Sequence, residues 1–150
     1  MKTGIYKNSA NLKDIEIHFN FLEQNFIKKL EQRISLNDYF FKIIQNATLY
    51  EFWKDDLLVG FVAVYENRGI NAPAYLTNIS VIESHAGKGI GSKLLQFVIS
   101  ELKAKGFSMF SLEVKKNNKR ALKLYTKLGF VINNEKSRDS WLMSLNWGNH

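Results

Sequence analysis

Two short stretches of this chain hold residue types whose spacing could do chemistry. One is Gly87-Lys88-Gly89-Ile90-Gly91-Ser92, set between an apolar run and a helical pattern. Glycines at alternate positions let main-chain N–H groups approach a ligand closely, and a helix opening there adds unpaired donors and a partial positive charge. That combination suits a phosphate. The other stretch is Asn118-Lys119-Arg120-Ala121, followed by Tyr125 and then Gly129-Phe130. It places an amide at the start of a helix and a phenol two turns along its face. Together the stretches describe a strand–loop–helix cradle for a diphosphate-bearing cofactor, with chemistry at the cofactor's far end. The glycine stretch is not a P-loop, because the Lys-Ser/Thr pair does not follow the last glycine. Nor is it the dinucleotide fingerprint: its last spacing is one residue short, and no acidic residue follows at about twenty positions.

The elements needed to hold these residues are legible in outline. Residues 12–31 and 36–46 read as two helices, the second opening at an Asn37-Asp38 cap. Residues 48–54 and 57–66 are rich in strand formers and flank Lys54-Asp55-Asp56, which predicts a hairpin. Residues 74–82 make a third strand; Leu94, Leu95, Val98 and Leu102 then recur at helical spacing until Gly106 stops the helix. A strand over 107–115, a helix over 118–128 and strands near 130–133 and 139–146 complete the pattern. A meander followed by two strand–helix units predicts an α/β (α+β) fold. Its mixed, mostly antiparallel sheet has about six to seven strands and about four flanking helices.

Size and charge limit the alternatives. At 150 residues, 45% apolar and 13% aromatic, the chain fits one ordered domain spanning 1–150, with its cofactor motifs within 74–130. It has no cysteine, which removes disulfides, thiolate metal ligands and a cysteine acyl-enzyme. His18, His85 and His150 are scattered without metal-ligand spacing, so no metal is expected. No signal core or membrane-length apolar run is present, which points to a cytoplasmic protein without membrane contact. The net charge of +7 lies wholly beyond residue 75, where twelve cations face five anions. Lys115, Lys116, Lys119, Arg120, Lys123 and Lys127 crowd thirteen residues. Most read as a solvated helix face, with one or two left for cofactor phosphate. No basic strand interleaved with aromatics is present, which counts against nucleic acid.

The residues from Asn78 through Gly87-Lys88-Gly89-Ile90-Gly91-Ser92 to Leu95 resemble the cofactor motif of the GNAT family of N-acetyltransferases. The run Asn118 to Phe130 resembles that family's second signature, Asn-x-x-Ala-x-x-x-Tyr-x-x-x-Gly-Phe. Order and spacing agree over roughly residues 48–146. The family usually opens its glycine loop with Gln or Arg; this chain has Ala86, which removes one side-chain contact and leaves the backbone donors.

The resemblance implies a GNAT-like fold and acetyl-CoA as acetyl donor. It places the pyrophosphate on the amides of Gly87, Lys88, Gly89, Ile90, Gly91 and Ser92. The pantetheine arm would pair with the backbone of Ile79, Ser80 and Val81, where the strand splays from its neighbour at a bulge. Asn118 would bond the pantetheine, a role compatible with a plain N-cap. Tyr125 becomes the candidate general acid for the departing sulfur, although its face with Ala121 and Leu128 also fits a core aromatic. Glu113 becomes the candidate base, standing five residues before the motif Asn. A solvated strand glutamate is the bland alternative, and Glu83 or a water held by Ser80 or Asn78 are rivals. The implied activity is N-acetylation of a primary amine by direct transfer in a ternary complex, the acceptor being a small molecule. A protein or peptide amine is the second reading, and a non-catalytic acyl-CoA module the third. The acceptor groove falls to the N-terminal helices and the hairpin. Their aromatics (Tyr39, Phe40, Phe41, Tyr50, Phe52, Trp53 and Tyr65) are expected to be mostly core, with a few lining a pocket. A homodimer is compatible with all of this.

Overall fold

Turn chemistry sets most element boundaries in the computed structural model, which describes residues 1–22, 28 and 35–148. The elements are β1 (Gly4–Lys7), α1 (Leu12–Asn20), α2 (Leu36–Asn46), β2 (Thr48–Lys54), β3 (Leu57–Tyr65), β4 (Ala74–Val81), α3 (Ile90–Lys105), β5 (Met109–Lys115), α4 (Lys119–Lys127), β6 (Val131–Ser137) and β7 (Ser140–Asn146). One sheet of seven strands runs in the order β1-β2-β3-β4-β5-β7-β6. Its ladders are antiparallel except for the parallel pair β4–β5. The expected mixed, mostly antiparallel α/β sheet with flanking helices is what forms.

Asn11 opens α1 with a capping box, accepting from Asp14 N while Asp14 accepts from Asn11 N, both at 2.9 Å. The helix expected over 12–31 closes earlier, at Asn20, with Phe21 N–H bonded back to His18 O. Residues 23–27 and 29–31 of that expectation lie outside the described residues. Ser35 stands at the N-cap of the second helix, two residues ahead of the expected Asn37-Asp38 and without a side-chain bond; Asp38 instead sits in the first turn, where a carboxylate favours the helix dipole. Asp55 and Asp56 both take positive φ (49° and 66°), which closes the β2–β3 hairpin with the twist that strands require. β1 had no counterpart in the sequence reading. It is a four-residue edge strand paired with β2, too short to show a period.

The sheet separates two cores. Ile15 and Phe19 of α1, with Phe40 and Ile43 of α2, cover Leu49, Trp53, Leu58, Phe61 and Ala63 on one face. On the other face Leu94, Leu95, Val98 and Leu102 of α3 meet Tyr50, Val62, Leu76, Phe110 and Leu112, and Tyr125 of α4 joins them. Most hairpin aromatics are therefore core, as expected: Phe40, Tyr50 and Trp53 are buried and Phe41 is exposed. Tyr39 alone of the group reaches the middle of β4, donating its hydroxyl to Thr77 O at 3.1 Å.

The break between β4 and β5 positions the site. Their ladder holds three pairs, ending at Leu76↔Leu112. At the same point β4 bulges against β3, since Ala63 pairs with Asn78 while Val64 pairs with Leu76, leaving Thr77 as the extra residue. An extra residue bends its strand and sharpens the twist, so β4 turns away from β5 beyond Leu76. Its far half, Asn78–Val81, pairs with β3 on one edge and has no β5 partner on the other.

Candidate active site

A cleft of about 380 Å³ opens beside the unpaired edge of β4. Its walls are Ile79, Ser80 and Val81 of β4, the turn residues His85, Ala86, Gly87 and Gly89, the first turn of α3 (Ile90, Gly91, Ser92), and Asn118, Arg120, Ala121, Leu124 and Tyr125 around the start of α4. Ten of the twelve residues singled out from the sequence meet here; Lys88 and Glu113 do not line the cleft.

Backbone geometry makes the turn a donor surface. Gly87 and Gly89 both hold φ of +78°, a region that side-chain-bearing residues rarely adopt. Gly89 caps α3 without a side-chain bond, and the first helical N–H to find a carbonyl in the turn is Lys93, bonded to Gly89 O at 3.0 Å. The amides of Ile90, Gly91 and Ser92 are thus the orphan donors of a helix start, and they border the cleft. Gly91 has no positive φ, but a Cβ there would stand 3.6 Å from Ile79 Cδ1 and 3.9 Å from Leu124 Cδ2. The floor is open because that position carries no side chain.

Asn118 caps α4 through its Oδ1, which accepts from Ala121 N at 3.1 Å. The cap occupies the oxygen and leaves the Nδ2 amide as the group it can turn toward the cleft. Arg120 brings the one motif cation that reaches the lining, its Nη2 lying 3.9 Å from where a Gly87 Cβ would be. Lys116 of the same basic run is instead paired with Glu135 at 3.0 Å and lies over Trp141. His85 borders the mouth, its pKa lowered by desolvation first and then by the charges of Lys88 and Lys54. The sequence reading weighed His85 only as a metal ligand; its one marker for this place is that it precedes the glycine turn.

Tyr125 is buried against Phe130, their ring centroids 5.7 Å apart, yet it borders the cleft. Among the described residues its hydroxyl has no hydrogen-bond partner. Burial pushes its pKa up to about 12, so the phenol is protonated at any physiological pH. Glu113 stands on the face of β5 opposite the α4 core, exposed, with its carboxylate accepting the Ser140 hydroxyl at 2.5 Å. Its charge, after burial, helps to raise the Tyr75 phenol beside it. Among the described residues no cluster of metal-ligating side chains occurs, and no described helix is long and apolar enough to cross a membrane.

The sequence pattern of the acetyltransferase (GNAT) family matches residues 15–130, which contain the whole cleft lining. The chain belongs to the GNAT family. Among GNAT relatives, it is 28% identical over 78 residues to N-alpha-acetyltransferase 30 of Schizosaccharomyces pombe, covering 51% of this chain and 52% of that protein. It is 40% identical over 57 residues to the ribosomal protein bS18 alanine N-acetyltransferase of Escherichia coli, 38% of each chain. The chain thus spans about half or less of the curated relatives it matches. The crystal structure of the ribosomal-protein-S18-alanine N-acetyltransferase from Escherichia coli superposes with a TM-score of 0.73 at 21% identity, over 97% of this chain and 96% of that one. The PaiA N-acetyltransferase of Thermoplasma acidophilum, solved in complex with coenzyme A, gives 0.72 at 18%, over 97% and 100%. Both share the GNAT fold described above.

Proposed function

We propose that the chain moves the acetyl group of acetyl-CoA to the primary amine of a small molecule, by direct attack within a ternary complex. One observation carries this reading: a single cleft brings together the unpaired edge of β4, the orphan amides of the glycine turn and the protonated phenol of Tyr125. The lining fits the cofactor from end to end. The amides of Ile90, Gly91 and Ser92, with the Arg120 guanidinium, offer donors and positive charge for a diphosphate. The free edge of β4 offers backbone partners to an amide-bearing arm, and Asn118 Nδ2 adds a donor from the opposite wall. When bound, the thioester supplies an activated acetyl group.

The rest falls to the protein's own residues. Tyr125 holds a proton on its hydroxyl and presents it to the departing sulfur. The burial that raises the phenol would also raise a desolvated thiolate, so the two stay matched for hydrogen bonding or transfer. Glu113 lies outside the lining, so it takes the amine's proton only through intervening water. With no cysteine in the chain, an acyl-enzyme on a thiol has no site.

Matches to acetyltransferases named for protein acceptors favour a second reading, in which the acceptor is a protein N-terminus. Both readings are tested by following coenzyme A release with polyamines, amino sugars, amino acids and short peptides, beside a thermal-shift titration. Acetyl-CoA and coenzyme A should raise the melting temperature and NAD should not. Release with small amines supports the first reading and release with peptides alone the second. Equal stabilisation by NAD refutes the cofactor site.

A further inference from the structure

A second cavity, apart from the cofactor cleft, is walled by charged side chains. It measures about 370 Å³ and lies where β5 ends against the β6–β7 turn, lined by Lys115, Lys116, Asn117, Arg138 and Asp139. Main-chain bonds fix its walls, since Lys116 N donates to Asp139 O at 2.8 Å and Asn118 N to Lys115 O at 3.0 Å. The Ser137 hydroxyl braces the turn, accepting from Asp139 N at 3.3 Å and lying 2.8 Å from Ser140 Oγ.

The charges around this cavity do not cancel. Lys116 is already engaged by Glu135 and by the Trp141 ring. Among the described residues Lys115 and Arg138 belong to no ion pair, and Asp139 is the one carboxylate in the lining. With Lys116 and Glu135 neutralising each other, Lys115 and Arg138 against Asp139 leave a single positive charge. That excess matches a monovalent carboxylate better than a doubly charged phosphate, and a concave wall concentrates its field.

Position ties the cavity to the reaction. Glu113 and Lys115 are exposed and two residues apart on β5, so both project from the face opposite Phe110, Leu112 and Val114, about 7 Å from each other. Glu113 leans toward the same turn, because Ser140, the pairing partner of Lys115, donates its hydroxyl to Glu113. Three residues beyond Lys115, Asn118 lines the cofactor cleft. A negative group and then a positive pair thus follow each other along one strand. This order is complementary to a molecule with an ammonium group at one end and an anion at the other.

We propose that Lys115 and Arg138 hold a carboxylate of the acceptor while Glu113 draws its amino end, so that the acceptor is an ω-amino acid. The proposal rests on the acyl-transfer reading. The spacing of about 7 Å suits a chain of roughly four methylenes.

The test compares 5-aminopentanoate with its neutral amide, with pentylamine and with Ala-Ala-Ala. Wild type should turn over the carboxylate with a kcat/KM about tenfold above that of the amide, and high salt should erase the preference. Lys115→Gln and Arg138→Gln should each raise KM for 5-aminopentanoate about fivefold and leave KM for the amide unchanged. Asp139→Asn should act in the opposite direction, lowering KM for the carboxylate, which a merely structural role would not do. A second readout needs no turnover: calorimetric titration of 5-aminopentanoate into protein saturated with coenzyme A should show the same order of affinities. Coenzyme A affinity itself should stay the same in all three variants. The proposal is overturned if wild type fails to consume 5-aminopentanoate or takes any of the other three acceptors as well. It is equally overturned if the preference survives in Lys115→Gln and Arg138→Gln, or if these variants lose coenzyme A affinity, which would give the cavity to the cofactor. Each of those results leaves the acyl-transfer reading standing. A wild type that neither binds coenzyme A nor consumes any amine overturns both.

Discussion

The neutrality of His18 should be measurable as a loss of stability in acid. In the unfolded chain the ring takes up a proton below its ordinary value of 6.5, whereas burial holds the folded ring off until about 4. Between those values the unfolded state binds more protons, so stability rises with pH and is lost as pH falls through that window. Above it both states are neutral and the effect vanishes. The full gap corresponds to about 3 kcal/mol, a large part of the 5–15 kcal/mol typical of a domain. Carboxylates also titrate in acid, so the wild-type curve alone decides nothing. His18→Gln removes the titration and keeps within reach the hydrogen bonds that the ring makes with Leu58 O and Ser80 Oγ. Urea unfolding of both proteins between pH 7 and pH 4.5 should show wild type losing about 2 kcal/mol more than the variant. A stability difference that does not move with pH would show that His18 is solvated or charged in the fold.

Other perturbations separate binding from chemistry. Tyr125→Phe keeps the ring against Phe130 and removes only the hydroxyl; turnover should drop by roughly a hundred- to ten-thousandfold while the cofactor dissociation constant moves far less, and full turnover would return Tyr125 to a packing role. Gly91→Val puts two methyls into the cleft between Ile79 and Leu124 without asking for a forbidden φ; calorimetry should show coenzyme A affinity down by about tenfold or more at an unchanged melting temperature. Glu113→Gln should slow turnover most at acidic pH, where few amines are already neutral, and recover as pH rises; a flat deficit would rule out proton acceptance. Buried Glu51 accepts from Ser9 N and Ala10 N at 2.9 Å, from Trp53 Nε1 at 2.8 Å and from Ser9 Oγ. Glu51→Leu strands these donors, so chemical denaturation should report about 3 kcal/mol of lost stability.

What the sequence disclosed is what depends on local chemistry. Glycine spacing located the turn, and Gly106 at φ +96° ends α3 where the pattern stops. Alternation in β5 separated Glu113 from the core face of Phe110, Leu112 and Val114. What stayed hidden depends on long-range closure. His18 lies on the buried stripe of α1 with Ile15 and Phe19, and nothing in that stripe says that Ser80, sixty-two residues on, will meet its ring. Arg120 stood among six cations of one basic run, and only the turn of α4 selects it for the cleft. The end of α1 at Asn20 was equally unreadable, because residues 12–31 keep an amphipathic pattern with no glycine or proline to break it.

The short β4–β5 ladder also governs how load passes through the molecule. Strands β1 to β4 form one leaf of the sheet and β5 to β7 another, and three residue pairs hinge them. Backbone bonds alone would make this a book with a weak spine. The binding that keeps it shut is made of side chains: Leu94, Leu95, Val98 and Leu102 of α3 touch a core to which Val59 and Val62 contribute from one leaf, and Phe110, Leu112 and Met143 from the other. All-or-none unfolding therefore depends on this shared core. A molecule lodged between the parted pages would bridge the leaves where the main chain does not, so it would act as a fastener as well as a reactant.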